Sequence, residues 1–393
     1  MTSKSDSATI AVRAAIESDT QHGAVVPPLY LSSNFAFAGY GEKREYDYTR
    51  SGNPTRDALA DALTELEGGA GTVVTSSGMA ALTLLCQLLE PGDLLIAPHD
   101  CYGGTYRLLE SLSGKGHFDV AFIDETDAAE IARACLRKPK LILVETPSNP
   151  LLRIVDIQKI KAFADDCDAL LAVDNTFLSP ALQNPVALGA DLVVHSTTKY
   201  INGHSDVVGG AIVAATDQLA ETLCWWANCL GITGAPFDSF LALRGLRTLN
   251  ARVRQHEENA HLIATVLNDH ELVDRVYYPG LADHPGHKIA ARQQRGFGGM
   301  LSFELRGGDA AIRTFLENLN LFSLAESLGG VESLICHPAS MTHAPVAADA
   351  LDTAGIGRSL IRLSVGIESA DDLVTDLLEA LASIRPARRI RSA

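Results

Sequence analysis

Between residues 61 and 245, short apolar runs recur at 71–76, 93–97, 119–123, 141–145, 170–174, 191–195 and 209–214. Several are apolar at successive positions rather than alternating, as strands covered on both faces must be. Helical segments lie between most of them, at 78–89, 127–136 and 156–164. Such alternation predicts an α/β unit with a doubly wound, mostly parallel sheet, and sheets of that kind keep their ligands at the carboxyl ends of the strands.

The pattern changes on either side. After residue 246 a long charged helical stretch runs through Arg252, Arg254, Glu257 and His261, followed by strand-like runs at 299–304 and 360–365 and a final helix from Asp371. This reads as a smaller α+β unit. Before residue 60, an early amphipathic segment gives way to Val25-Val26-Pro27-Pro28 and the polar, aromatic stretch 45–54. An arm so punctuated by Pro and Gly carries no core of its own and must lie on something else, most naturally a neighbouring subunit. The predicted organisation is an arm (1–60), a large sheet unit (61–245) and a C-terminal unit (246–393).

With 393 residues, 47% hydrophobic and 20% charged, the chain is long and apolar enough to bury a large core and form a cleft between units. The formal net charge of −16 repels phosphate backbones and anionic membranes, so neither nucleic acid nor membrane is an expected partner. The basic tail Arg385, Arg388, Arg389 and Arg391, broken by Pro386, reads as a frayed terminus. No run approaches the roughly 20 apolar residues of a membrane span. The seven cysteines are odd in number, scattered and never spaced as CxxC, which reads as reduced thiols in a cytoplasmic protein.

Lys199, one of nine lysines, directly follows the run Leu192-Val-Val-His195, at a strand end where an α/β protein keeps its site. Partly desolvated there, its amine would have a lowered pKa and could form a Schiff base. From Lys199 alone, a capping or surface lysine is the plainer reading. The preceding apolar run ends Ala172-Val173-Asp174, placing a carboxylate at the same edge. A helix N-cap explains it; so does a protonated pyridine nitrogen, and lysine paired with aspartate is the pattern of pyridoxal phosphate enzymes. The third feature is Ser77-Gly78-Met79 opening an apolar helix, where backbone N–H groups and the helix dipole converge on an anion. Ser196 and Thr198 can add hydroxyls. Three such features on successive strand ends weigh far more than any one.

Other clusters do not carry chemistry. His256-Glu257 with His261 has the wrong spacing for a zinc helix, so no metal site is expected. His284 and His287 sit in a Pro/Gly loop and read as solvated. Gly68-Gly69-Ala70-Gly71 precedes its strand, unlike a dinucleotide fingerprint.

Longer stretches carry a family likeness: Val25-Val-Pro-Pro28, Asp47-Tyr-Thr-Arg-Ser-Gly-Asn-Pro-Thr-Arg56, Pro98-His-Asp-Cys-Tyr-Gly-Gly104, Glu145-Thr-Pro-Ser-Asn-Pro150, Val173-Asp-Asn-Thr176, Ser196-Thr-Thr-Lys-Tyr-Ile-Asn-Gly-His-Ser-Asp206 and Ala325-Glu-Ser-Leu-Gly-Gly-Val-Glu-Ser333. From Thr9 to the final helix, the chain resembles the cystathionine γ-synthase branch of the Cys/Met-metabolism pyridoxal phosphate enzymes. The resemblance implies a fold type I transferase with a seven-stranded sheet, a cytoplasmic homo-oligomer, usually a homotetramer, and a step toward methionine. The implied reaction joins O-succinyl-L-homoserine, or another O-acyl-L-homoserine, to L-cysteine. A γ-lyase or an O-acylhomoserine sulfhydrylase are the alternatives within the family, and a non-catalytic assembly protein is the alternative outside it.

Carried over by position, the resemblance makes Lys199 the lysine that bonds the cofactor and moves protons, and Asp174 the partner of the ring nitrogen. Ser77, Gly78, Met79, Ser196 and Thr198 hold the phosphate, with Tyr48 and Arg50 arriving from the neighbouring subunit. Tyr102 stacks on the ring. Arg362 clamps the substrate α-carboxylate with Ser327 and Asn149 beside it. Glu326 is an acid that the γ-enzymes share, and Arg107 faces a distal succinyl carboxylate or else is a surface helix arginine.

Overall fold

The computed structural model describes residues 5–341 and 355–384. Strands β1 (Gly71–Thr75), β2 (Leu94–Pro98), β3 (Asp119–Ile123), β4 (Leu141–Glu145), β5 (Leu170–Asp174), β6 (Leu192–His195) and β7 (Gly210–Ala214) form one sheet in the order β1-β7-β6-β5-β4-β2-β3. Strands β2 to β6 pair in parallel, while β7 runs against both β1 and β6. The sheet is thus mostly parallel, with one reversed strand. The predicted β3, β4 and β5 match in extent, β1, β6 and β7 differ by one residue at one end, and β2 is shifted by one residue.

The apolar runs have the cause inferred for them. Leu141, Leu143 and Ala172 pack under helices Gly78–Leu85, Gly103–Gly114 and Asp217–Leu230; Ile142, Val144, Leu171 and Val173 pack on helices Ala128–Cys135 and Ile157–Asp166. Both faces are dry, so both must be apolar. Side chains alternate between faces, so Glu145 and Asp174 project with Leu143 and Ala172, and His195 projects the other way.

A second sheet, ordered β10-β11-β12-β9-β8, combines β8 (Val273–Tyr277), β9 (Met300–Leu305), β10 (Ser323–Leu324), β11 (Leu334–Cys336) and β12 (Leu360–Ser364). One face buries Phe303, Ile361 and Leu363 against helices Leu249–Asn268, Gly308–Glu317 and Ala370–Ala382. The opposite face of β12 therefore carries Leu360, Arg362 and Ser364 toward the large sheet. The sequence reading anticipated β9 and β12 but not β8, whose Asp274 and Arg275 are exposed, nor the short β10 and β11.

The first helix of the arm lies on its own chain. Helix Ser7–Arg13 inserts Ala11 into the core formed with helices Pro54–Glu67 and Leu249–Asn268. Beyond it, Val25, Val26, Leu31, Phe37 and Tyr40 are exposed. His284 and His287 also differ from the solvated reading. Both are half-buried: His284 Nδ1 accepts the Gly286 N–H, His287 Nδ1 donates to Pro279 O at 2.8 Å, and burial pulls the His284 pKa down to about 4. No disulfide and no helix long and apolar enough to cross a membrane occur among the described residues. The basic tail, Arg385 to Arg391, lies outside them.

Candidate active site

The carboxyl ends of β1, β4, β5 and β6 face the C-terminal sheet across a cavity of about 480 Å³. Two roomier hollows, of about 580 and 750 Å³, open elsewhere without strand-end chemistry of this kind.

Lys199 sits in the turn after β6, and its Nζ donates to Ser327 Oγ at 2.7 Å. Burial, then the positive charge of Arg362, pull its pKa down to about 8, against an opposing effect of Glu326. Ser327 has φ +87°, a left-handed conformation costing a non-glycine residue about 1 kcal/mol. It is held there from both ends: its hydroxyl takes the Lys199 bond and its carbonyl accepts Arg362 Nη2 at 2.9 Å.

Arg362 is 3% exposed, and its Nη1 donates to Asn149 Oδ1 at 2.9 Å. Its buried Nε has no partner among the described residues. A guanidinium so placed calls for an anion, and a carboxylate entering the cavity would supply one. Glu326, Ser327 and Arg107 share the same lining.

Asp174 and Glu145 are register partners on adjacent strands. Asp174 Oδ1 accepts Thr176 N–H at 3.0 Å, and Glu145 accepts the N–H groups of Tyr102 and Asn149. Neither carboxylate forms an ion pair among the described residues. Burial pushes both pKa values up, and the neighbouring Asp174 adds to the effect on Glu145. Two carboxylates facing one cavity without a cation leave room for a positively charged ring nitrogen.

The start of helix Gly78–Leu85 has the form of an anion site. Ser77 caps helix Gly78–Leu85 by accepting the Ala80 N–H at 3.0 Å, leaving the N–H groups of Gly78 and Met79 directed out of the helix start. A Cβ on Gly78 would lie 2.8 Å from Ser196 Cβ, and one on Gly210 would lie 2.1 Å from Ser77 O. Only glycines let β7 and the Ser196 turn approach this closely. Thr198 and Ser196 line the same end of the cavity, and Tyr102, at the start of helix Gly103–Gly114, lines it as well.

The cavity gathers every sequence-predicted site residue except Tyr48 and Arg50. These lie outside it, with the Arg50 guanidinium 5.5 Å from the Tyr48 ring centroid and Arg50 Nε bonded to Asn228 Oδ1 at 2.9 Å. Sequence reasoning gave no role to Glu145, Thr176 or Phe177, which also line the cavity. Glu145 carried a usable signal, the one used for Asp174: a carboxylate ending an apolar strand. His256 is buried and its Nδ1 donates to Val365 O. No group of three His, Cys, Asp or Glu residues is placed to hold a metal among the described residues.

A buried amine, uncompensated carboxylates and a helix start with outward N–H groups together fit pyridoxal 5′-phosphate. Residues 8–382 match the family of Cys/Met metabolism PLP-dependent enzymes. The chain is 57% identical to cystathionine gamma-synthase of Escherichia coli (strain K12), over 94% of this chain and 96% of that protein. It is 46% identical to cystathionine beta-lyase of Lactococcus lactis subsp. cremoris (strain MG1363), over 94% and 97%. The crystal structure of Xanthomonas oryzae pv. oryzae cystathionine gamma synthase in complex with cystathionine superposes with a TM-score of 0.96 at 62% identity, covering 96% of this chain and 98% of that one. The chain belongs to the Cys/Met metabolism family of pyridoxal 5′-phosphate-dependent enzymes.

Proposed function

We infer that this enzyme carries out γ-replacement, joining O-succinyl-L-homoserine, or another O-acyl-L-homoserine, to L-cysteine to give L-cystathionine and the free acid. The observation that carries this reading is that Lys199 Nζ and Arg362 Nη2 bond the same residue, Ser327, so the proton-moving amine and the carboxylate-binding cation share one anchor. The 57% identity to a cystathionine gamma-synthase supports the choice within a family whose relatives also include lyases.

In this reading, Lys199 would bond the cofactor, Asp174 would meet its ring nitrogen, Ser77, Gly78, Met79, Ser196 and Thr198 would hold its phosphate, and Tyr102 would pack against the cofactor. When bound, the cofactor supplies an electron sink for charge developing at the substrate Cα and Cβ. Arg362, assisted by Asn149 and Ser327, binds the substrate α-carboxylate and so sets Cα beside Lys199 Nζ. With a pKa near 8, the amine accepts the α-proton readily and returns it at the end. Proton loss from Cβ lets the acyl group leave Cγ, where the cysteine thiolate then adds. Arg107 meets a distal carboxylate of the acyl group, and Glu326 stands at the same wall. Tyr48 and Arg50 reach the phosphate of a neighbouring copy, in a cytoplasmic homotetramer built as a dimer of dimers. The chain divides into the arm 1–60, the cofactor-binding unit 61–245 and the C-terminal unit 246–393.

The test is product identification by mass spectrometry. Cofactor-loaded enzyme is mixed with O-succinyl-L-homoserine, with and without L-cysteine, alongside an L-cystathionine cleavage assay. Cysteine-dependent cystathionine is the expected main product. Rapid cystathionine cleavage to 2-oxobutyrate with little synthesis would make the enzyme a γ-lyase instead.

A further inference from the structure

Strand β4 is apolar from Leu141 to Val144 and then ends in Glu145, which is only 8% exposed. Taking a carboxyl group out of water is costly, so what it bonds indicates why it is there. Glu145 Oε2 accepts the Tyr102 N–H at 3.0 Å, and Oε1 accepts the Asn149 N–H at 3.0 Å. From Asn149 the bonds continue without a break: Arg362 Nη1 to Asn149 Oδ1 at 2.9 Å, Arg362 Nη2 to Ser327 O at 2.9 Å, and Lys199 Nζ to Ser327 Oγ at 2.7 Å. The path runs from the Tyr102 backbone to the Lys199 amine, crossing between the two sheets. Glu145 is a link that joins the Tyr102 loop to the Asn149 loop.

We propose that Glu145 is a positioning residue for the reaction: one buried carboxyl group holds two backbone N–H groups and thereby fixes the Tyr102 ring and the Asn149–Arg362 clamp in mutual register. The inference rests on the functional reading of Tyr102, Asn149, Arg362 and Lys199. It gives the substrate α-carboxylate and the cofactor ring a common frame before any substrate arrives, which is how a site lowers the entropic cost of alignment.

Two features sharpen the test. Burial, then the charges of Asp174 and Asp100, push the Glu145 pKa well above the usual carboxylate range. Glutamine therefore resembles the protonated acid in shape and charge, but it turns an NH2 group toward one of the two N–H groups and loses that tie. The same loops also have a tie that bypasses Glu145. Ser148 Oγ donates to Asp100 Oδ2 at 2.7 Å, and Arg153 Nη1 meets the same oxygen at 3.2 Å. The loops keep that support when Glu145 is altered, and Ser148→Ala supplies the matched structural control.

Cofactor-loaded native enzyme, Glu145→Gln, Glu145→Asp and Ser148→Ala are titrated with L-alanine, an α-amino acid without a γ leaving group. The readouts are the visible absorbance and circular dichroism of the bound cofactor and thermal unfolding, followed by KM and kcat with O-succinyl-L-homoserine. Both Glu145 variants are expected to raise the L-alanine half-saturation concentration about tenfold, to change the visible dichroism, and to raise KM more than they lower kcat. Ser148→Ala is expected to lower the unfolding temperature while leaving L-alanine binding within about twofold. Glu145 variants that behave like Ser148→Ala, less stable but unchanged in L-alanine binding and dichroism, would overturn the proposal. If Glu145→Gln does not fold, Glu145→Asp, one methylene too short to span both N–H groups, carries the comparison; failure of both to fold makes Glu145 a structural post and also overturns it. A native enzyme that makes no cystathionine would defeat the functional reading alone, because L-alanine binding and dichroism are read without turnover.

Discussion

The carboxyl ends of β5 and β6 carry two polar clusters, one on each face of the same sheet. On the face away from the cavity, His195 Nε2 meets Glu67 Oε1 at 2.7 Å and Asn175 Nδ2 donates to the same oxygen at 2.9 Å. Gln183 Nε2 returns a bond to Asn175 Oδ1 at 3.1 Å, and all four side chains are essentially without solvent contact. Glu67 Oε2 accepts from Asn184, Gln183 Oε1 from Gln293, and Gln183 Nε2 donates to Thr146 O, so apart from His195 Nδ1 the cluster is satisfied within the chain. On the cavity face, among the described residues, Asp174 and Glu145 form no ion pair and Arg362 Nε has no acceptor, and Lys199 holds its amine at a lowered pKa. The residues are of the same kinds; the difference is whether their partners are in the chain. A closed network stabilises the fold, whereas an open one costs stability until a ligand completes it.

The sharpest way to break this comparison is Lys199→Ala. Activity should fall about a thousandfold or more if the residue moves protons as proposed, while the unfolding temperature of the cofactor-free protein stays level or rises. Retained γ-replacement with the cofactor still covalently attached would remove the lysine from its role. Glu67→Ala should do the reverse. Leaving His195 and Asn175 without their acceptor should cost about 3 kcal/mol in denaturant unfolding, with turnover per folded molecule within a few-fold of native. An equal loss of turnover at unchanged stability would show that the two clusters are not separable.

A pH measurement comes next. The Lys199 amine has its ordinary value at 10.5 and is held near 8 by burial and by Arg362. The rate of cofactor reloading into stripped enzyme should climb with pH and level off just above about 8. Arg362→Leu should shift that midpoint upward, and an unmoved midpoint would assign the effect to burial alone. The linkage sign agrees: between pH 8 and 10.5 the unfolded chain binds a proton that the folded, stripped enzyme does not, so this lysine's contribution to stability improves as pH rises through that window. The smallest effect concerns Ser327. Ser327→Gly should be more stable than Ser327→Ala by about 1 kcal/mol, because only glycine adopts its positive φ without strain. Equal stability of the two would mean that the conformation is not strained.

Much of the architecture was legible because it follows from burial. A strand covered on both faces is apolar nearly throughout, so β4 and β5 could be read to the residue; β3, an edge strand with no fully buried residue, was bounded by its apolar run alone. Strand β8, with a half-exposed alternation interrupted by Asp274 and Arg275, and β10, with two residues, have too little periodicity to stand out. At the site, Lys199, Asp174 and the Ser77–Gly78 turn were readable because each follows an apolar run directly. Glu145 follows one too, but its role depends on two backbone N–H groups in separate loops, which no local pattern encodes. The seat of the arm's first helix was not legible for a related reason. Its first helix is short and small-sided, and Ala11 buries itself only because a helix more than two hundred residues later supplies the surface.

The Lys199–Ser327 bond closes a span of 128 residues, and the Arg362–Asn149 bond one of 213. Contacts between such distant points form late, because the chain between them must first lose most of its freedom. During refolding, helical signal should therefore return well before the ability to bind an amino acid, and partly assembled chains should be inert rather than weakly active. A newly made chain cannot set a reactive amine beside its carboxylate clamp until both sheets have formed and docked, so reactivity is withheld until synthesis has passed β12.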